Sequence, residues 1–95
     1  MYCINVLLTV KSEGDTPAIR DRLTELGKLS RAEAGCLTYD VFQSQSNENC
    51  FLLVERWASK EAWETHRAAP PVNEIYIPLV LPLVERTAHP STLLV

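Results

Sequence analysis

The sequence predicts an α+β domain of ferredoxin-like type: a four-stranded antiparallel sheet in split β-α-β order, with helices covering one face. Three observations carry that prediction. Apolar residues alternate with a period of two in several short runs, and they recur at helical spacing in two stretches between those runs. The resulting order is strand, helix, strand, strand, helix, strand. Finally, 95 residues suffice for one core and no more, so residues 1–95 read as a single domain with a C-terminal tail at about 88–95.

The first strand spans Tyr2 to Val10. Tyr2, Ile4, Val6, Leu8 and Val10 share one face, while Cys3, Asn5, Leu7 and Thr9 share the other, and both faces are largely apolar. A turn at Glu13-Gly14 leads to a helix capped by Asp15 or Thr16, with Pro17 at its first position. Ile19, Leu23 and Leu26 form its inner stripe, Gly27 weakens it, and Gly35 closes it. Cys36 to Ser44 and Cys50 to Ala58 flank the short QSNEN loop and read as a hairpin. In the second of these strands Phe51, Leu53, Glu55 and Trp57 lie on one face, with Leu52, Val54 and Arg56 on the other. Ser59 caps a short helix that gathers Ala62, Trp63, His66 and Ala69 on one side. Pro70-Pro71 ends it, a VNEIY segment follows, and Pro78 breaks that segment. Leu79 to Thr87 then reads as the last strand, with Pro82 confining it to an edge, bulge or kink.

Two apolar faces on one sheet need two covers. Helices supply one, and a second copy of the chain pressing its own sheet on the other face would supply the second, so a homodimer through the sheets is expected. A small domain that also encloses a ligand cavity is short of core, and dimerisation relieves that shortage.

Composition excludes several classes of function. The net charge is −3 with no basic run or stripe, which argues against nucleic acid. No segment approaches the roughly 20 apolar residues of a membrane span, and the apolar N-terminus lacks a basic lead-in and a cleavage site. Cys3, Cys36 and Cys50 form neither a CxxC nor a metal-ligand spacing, and read as reduced thiols of a cytoplasmic protein. There is no phosphate-binding glycine loop, no nucleophile elbow, no HExxH and no clustered carboxylates.

The stretches SRAEAGCLTYDVFQS and FLLVERWASKEAWETHRAAP carry an acidic-x-Gly-Cys pattern, then Glu-x-Trp at Glu55 to Trp57, then Ser-Lys-x-Ala, then a helical histidine, His66. In these respects the chain resembles the antibiotic biosynthesis monooxygenase domain from its first strand to Thr87. The resemblance implies a ferredoxin-like protomer, a homodimer, and oxygenation of quinol or anthrone-like aromatics by O2 without metal, flavin or heme. Two departures matter. A second histidine common after the helix is replaced by Ala69-Pro70-Pro71-Val72. The heme-degrading branch places an iron-binding histidine beyond the helix, where this chain has none between His66 and His89.

Cofactor-free oxygenation requires a substrate that gives up a proton and then an electron. The protein must supply a dry apolar slot, a proton acceptor and donors to a developing oxyanion. Trp57 and Trp63 suit the walls of such a slot, and both also serve as core. His66 suits the base or relay, because imidazole is the side chain that exchanges a proton near neutral pH. Tyr76 and Asn5 offer polar groups to a substrate oxygen, and Leu53 an apolar contact. Arg56 is expected to face the partner subunit and Arg86 to be an edge-strand charge. Two alternatives stand beside this one. An isomerase of small phosphorylated signalling sugars would need a cationic pocket, drawn from Arg56, Arg67 and Arg86, and a binding module would only hold a hydrophobic metabolite.

Overall fold

The computed structural model describes residues 1–95. Strand β1 (Tyr2–Val10) leads through a 3-10 turn (Glu13–Asp15) into helix α1 (Thr16–Arg31); strands β2 (Cys36–Gln43) and β3 (Cys50–Trp57) follow as a hairpin, then helix α2 (Lys60–Arg67). A π-helical segment (Val72–Val80) and a 3-10 turn (Leu81–Leu83) connect to strand β4 (Val84–Ser91). The sheet order is β2-β3-β1-β4 with every pairing antiparallel, which is the expected ferredoxin-like arrangement. No helix is long and apolar enough to cross a membrane.

Alternation decides which side chains reach the core. Ile4, Val6, Leu8 and Val10 of β1 and Phe51, Leu53 and Trp57 of β3 are all buried beneath Ile19, Leu23 and Leu26 of α1. Full burial of such side chains contributes about 1.5–3 kcal/mol each. Glu55 lies on the same buried face. The opposite face carries Leu7, Leu52 and Phe42, each 40% exposed or more, and the register aligns them as one row across three strands.

Two boundaries differ from the sequence reading, and the N-cap of α1 falls on Asp15 as expected. Helix α1 ends at Arg31 with Ala32 as its C-cap, four residues before Gly35. Asp15 takes the N-cap position, yet its side chain makes no capping bond, and Thr16 Oγ1 instead donates to Asn49 Oδ1 at 2.8 Å. The largest change is at the C-terminal end. The run expected to start the last strand at Leu79 is helical to Leu83, and the strand extends to Ser91, so residues 88–91 belong to the sheet and not to a tail.

Pro78 does not break its segment. A proline lacks the N–H that an α-helix would use, and its ring crowds the carbonyl four residues back. Widening the turn relieves both problems, as the Leu81 N–H donating to the Tyr76 carbonyl, five residues back, illustrates. Val72 and Val80, eight residues apart, turn inward and are buried. Pro90 is accommodated because β4 is an edge strand.

Gly35 is the one residue with positive φ, at +81°. A Cβ there would lie 2.7 Å from the Ala62 Cβ, so only glycine lets this loop press onto α2. Its carbonyl accepts from the Ala58 N–H at 2.7 Å, fixing the loop to the end of β3. Gly35→Ala is therefore expected to destabilise by about 2–4 kcal/mol, summing the left-handed backbone cost and the overpacking. In a double-mutant cycle read by urea denaturation, Ala62→Gly should offset at least about 1 kcal/mol of that loss. Strictly additive effects would show that the close approach is not the cause.

Candidate active site

The site is assembled where the β2–β3 end of the sheet meets α2 and the π-helical segment. Tyr39 on β2 and Glu55 on β3 are register partners on the buried face, so their side chains stand side by side. Helix α2 begins two residues after β3, and its spacing places Trp63, His66 and Arg67 over that pair. The π-helical segment adds Val72, Tyr76 and Ile77, and β4 adds Arg86. Between them lies a cavity of about 190 Å³, lined by all of these residues and Leu81.

His66 is 5% exposed and held from several directions. Its ring lies against the indole of Trp57, centroids 4.5 Å apart at 31°, and meets the edge of Tyr39 at 5.7 Å. Nδ1 sits 2.8 Å and 3.2 Å from the two carboxylate oxygens of Glu33. A carboxylate only accepts, so Nδ1 carries the proton and donates, and in the neutral imidazole the acceptor is then Nε2, on the other side. Nε2 points to Glu55 Oε1 at 3.8 Å, outside direct hydrogen-bonding range. The loop that brings Glu33 to this histidine is the one whose close approach Gly35 permits.

Glu55 is a buried carboxyl with one direct hydrogen bond, from Trp57 Nε1 at 3.1 Å. Burial raises its pKa from the ordinary 4.5; the Trp57 hydrogen bond and the nearby His66 and Arg86 pull the other way without cancelling the rise. Tyr39 and Tyr76 are pushed up by burial as well, so both phenols keep their protons at neutral pH. Arg86 Nε donates to the Tyr76 hydroxyl at 2.9 Å, which frees the Tyr76 proton to be given elsewhere. Arg67 stacks over Trp63 at 4.8 Å, and Trp63 in turn lies 4.8 Å from the Tyr2 ring. The arrangement thus has a floor that can exchange protons, His66 beside Glu55, and a donor side, Tyr76 with Arg86.

Of the residues singled out from the sequence, His66, Trp63 and Tyr76 come together on the cavity wall. Trp57 is fully buried one layer behind, supporting His66. Leu53 is core and does not reach the cavity. Asn5 is on the opposite face of the sheet, where its Nδ2 donates to Ser91 Oγ at 3.0 Å, because strand alternation sends it away from Ile4 and Val6. Arg86 is not merely an edge charge: its register opposite Leu8 sets it on the helix-covered face. Glu33, Glu55 and Tyr39 were missed as site residues. Glu55 left a signal, a carboxylate at a buried position between Leu53 and Trp57, whereas Glu33 is placed only by the loop.

Comparison with known proteins identifies the family and the fold. The sequence pattern described as antibiotic biosynthesis monooxygenase matches residues 1–76. The chain belongs to that family. A solved antibiotic biosynthesis monooxygenase superposes with a TM-score of 0.89 at 23% identity, covering 98% of both chains. A protein of Deinococcus radiodurans, provisionally placed among these monooxygenases, gives 0.82 at 27% identity over 100% of this chain and 96% of its own. Another of Nitrosomonas europaea, equally provisional, gives 0.91 at 21% identity over the full length of both chains and so shows the shared fold. An uncharacterized protein of Synechocystis, sll1783, is 33% identical over 45 residues, which is 47% of this chain and 31% of that protein.

The raised Glu55 pKa makes a signed prediction. Below about pH 4 the carboxyl is protonated whether folded or unfolded, and the group contributes no pH dependence. As pH rises, the unfolded chain releases this proton first, so stability falls until the pH passes the folded-state pKa. Glu55→Gln keeps an acceptor for Trp57 Nε1 and removes this effect. Urea titrations from pH 4 to 8 should show the variant gaining on the native protein as pH rises, then levelling. A gain that shrinks with pH would contradict the assignment.

Proposed function

We propose that this protein is a cofactor-independent monooxygenase that oxidises a quinol-type aromatic with O2. The observation that best supports the reading is the imidazole of His66, fixed through Nδ1 by Glu33 and turned through Nε2 toward Glu55 on an aromatic-walled cavity. The absence of a cofactor follows from the resemblance to the quinol-oxidising branch of the family.

In this mechanism the substrate hydroxyl gives its proton to His66 Nε2, with Glu55 as relay. The resulting oxyanion gives one electron to O2, and the radical pair joins to form a carbon–oxygen bond. The peroxide anion takes the proton back from His66, and the hydroperoxide loses water together with the hydrogen of the carbon that bears it, so one oxygen atom stays as a carbonyl and the other leaves as water. Tyr76, its hydroxyl polarised by Arg86, donates to the substrate oxyanion. Trp63, Val72, Ile77 and Leu81 keep water from the charged intermediates.

Oxygen uptake by metal-free protein with a panel of hydroquinones tests this reading. Uptake should exceed autoxidation, fall about 100-fold or more in His66→Ala, and fall less in Glu33→Gln, which keeps the imidazole but loosens its orientation. Uptake equal to autoxidation with every quinol would end the proposal, and saturable binding without uptake would point to a metabolite-binding module. The isomerase reading gains from one observation, that Arg67 and Arg86 both line the cavity. Anaerobic turnover of a sugar phosphate would favour it.

The proposed working unit is a cytoplasmic homodimer. Its three cysteines are free, as suits a reducing compartment. The Phe42, Leu52 and Leu7 row on the outer sheet face suits a second sheet as its cover. Sedimentation should give a dimer that Leu52→Glu converts to a folded monomer; a native protein that sediments as a monomer at micromolar concentration would count against it.

A further inference from the structure

We propose that the guest of this cavity is a single-ring hydroxyaromatic acid, its carboxylate held by the free end of the Arg86 guanidinium with Arg67 at the rim. The orientation of the hydroxyl toward His66 rests on the oxygenase reading above.

Size is the first argument. A dry cavity of about 150 Å³ accepts benzene, and drug-sized ligands occupy about 300 Å³ or more. At about 190 Å³ this cavity matches one substituted ring in size and is small for three fused rings. The family resemblance embraces both quinols and tricyclic anthrones, and the volume favours the smaller guest.

Charge is the second. Arg31 is the arginine that forms a salt bridge with a carboxylate, Asp40 at 3.0 Å. Arg67 and Arg86 have no carboxylate within 4.0 Å, and both line the same small cavity. Arg67 lies over Trp63, and Arg86 uses Nε on the Tyr76 hydroxyl. That bond leaves both terminal nitrogens of Arg86 unspent, and they form the planar fork that fits a carboxylate with two parallel hydrogen bonds. A neutral quinol presents no charged group to either guanidinium except as the transient oxyanion.

Geometry is the third. The donor side, Tyr76 with Arg86, and the proton-exchanging floor, His66 with Glu55, belong to one cavity a single ring wide. A ring with a carboxylate at one position and an acidic hydroxyl at another presents complementary groups to both. The two carboxyls near the floor both face His66, Glu33 at 2.8 Å from Nδ1 and Glu55 at 3.8 Å from Nε2, and neither lies within 4.0 Å of Arg67 or Arg86.

The test is an anaerobic titration of the full chain followed by tryptophan fluorescence, since Trp63 lines the cavity. The probes are 2,5-dihydroxybenzoate, its methyl ester, hydroquinone and 1,8-dihydroxyanthrone. Because Arg86 is exposed, the acid should bind about tenfold more tightly than its ester, the lower end of what charged hydrogen bonds supply. Arg86→Gln should bring acid and ester within about threefold, Arg67→Gln should narrow the gap in part, and Arg31→Gln should leave it unchanged. The anthrone should fail to displace the acid. Equal affinity for acid and ester, an acid preference that survives Arg86→Gln, or tighter binding of the anthrone would each overturn the inference. Without oxygen the measurement is independent of turnover. Selective acid binding by a protein that consumes no oxygen sustains this inference and defeats the oxygenase, while uptake with neutral quinols and no acid preference does the reverse.

Discussion

A carboxyl group inside the core of a 95-residue domain is the constraint around which the site is organised. Strand alternation puts Glu55 on the buried face between Leu53 and Trp57, where an isolated carboxylate would be strongly disfavoured. The neighbourhood answers that cost in three ways: an indole N–H donated from two residues away, a nearby imidazole, and a guanidinium across the cavity. Those same three groups make the place chemically useful. A carboxyl that resists ionisation stands there beside an oriented histidine, and the proposed proton relay rests on that pair; a domain without Glu55 there would have only another apolar contact.

Rigidity of the histidine comes from parts distant in sequence. Glu33 reaches it from the loop after α1, Trp57 from the end of β3, and Tyr39 from β2. Gly35 is what brings the first of these close, because a side chain there would force the loop away from Ala62. The acidic-x-Gly-Cys pattern therefore has a physical meaning here: the acid orients the base, and the glycine allows the acid to arrive. A substitution at Gly35, outside the cavity lining, would be felt at the imidazole.

The opposite wall is built by a segment that bends a rule. Pro78 inside a helical run widens the turn, and this segment contributes Val72, Tyr76 and Ile77 to the cavity. Exposed Ile77 and Leu79 lie on the same segment, so the wall is thin on its outer side. The meeting of Tyr76 with Arg86 joins this segment to the edge strand, and the shape of the cavity depends on both keeping their places.

Much of the architecture was legible from periodicity alone. Residues such as Ile4, Val6 and Leu8 alternate, Ile19, Leu23 and Leu26 recur at helical spacing, and Ser59 marks the start of α2, because these are local consequences of backbone geometry. The same locality placed Trp63 and His66 on one side of α2. The conformation of residues 72–83 was not legible, since an apolar run punctuated by prolines satisfies a strand as readily as a widened helix, and packing against α1 decides between them. Nor were the partners of His66 legible. Glu33 is 33 positions away and Arg86 is 10 positions beyond Tyr76, and no local pattern encodes which distant side chains a folded sheet brings together. Asn5 shows the converse: alternation set it on the face opposite Ile4 and Val6, but only the packing of the helices decided which face holds the cavity. The chain by itself determined its elements and their order, whereas the folded sheet alone decided which polar groups share one cavity, because hydrogen bonding between strands sets the register and register sets the face.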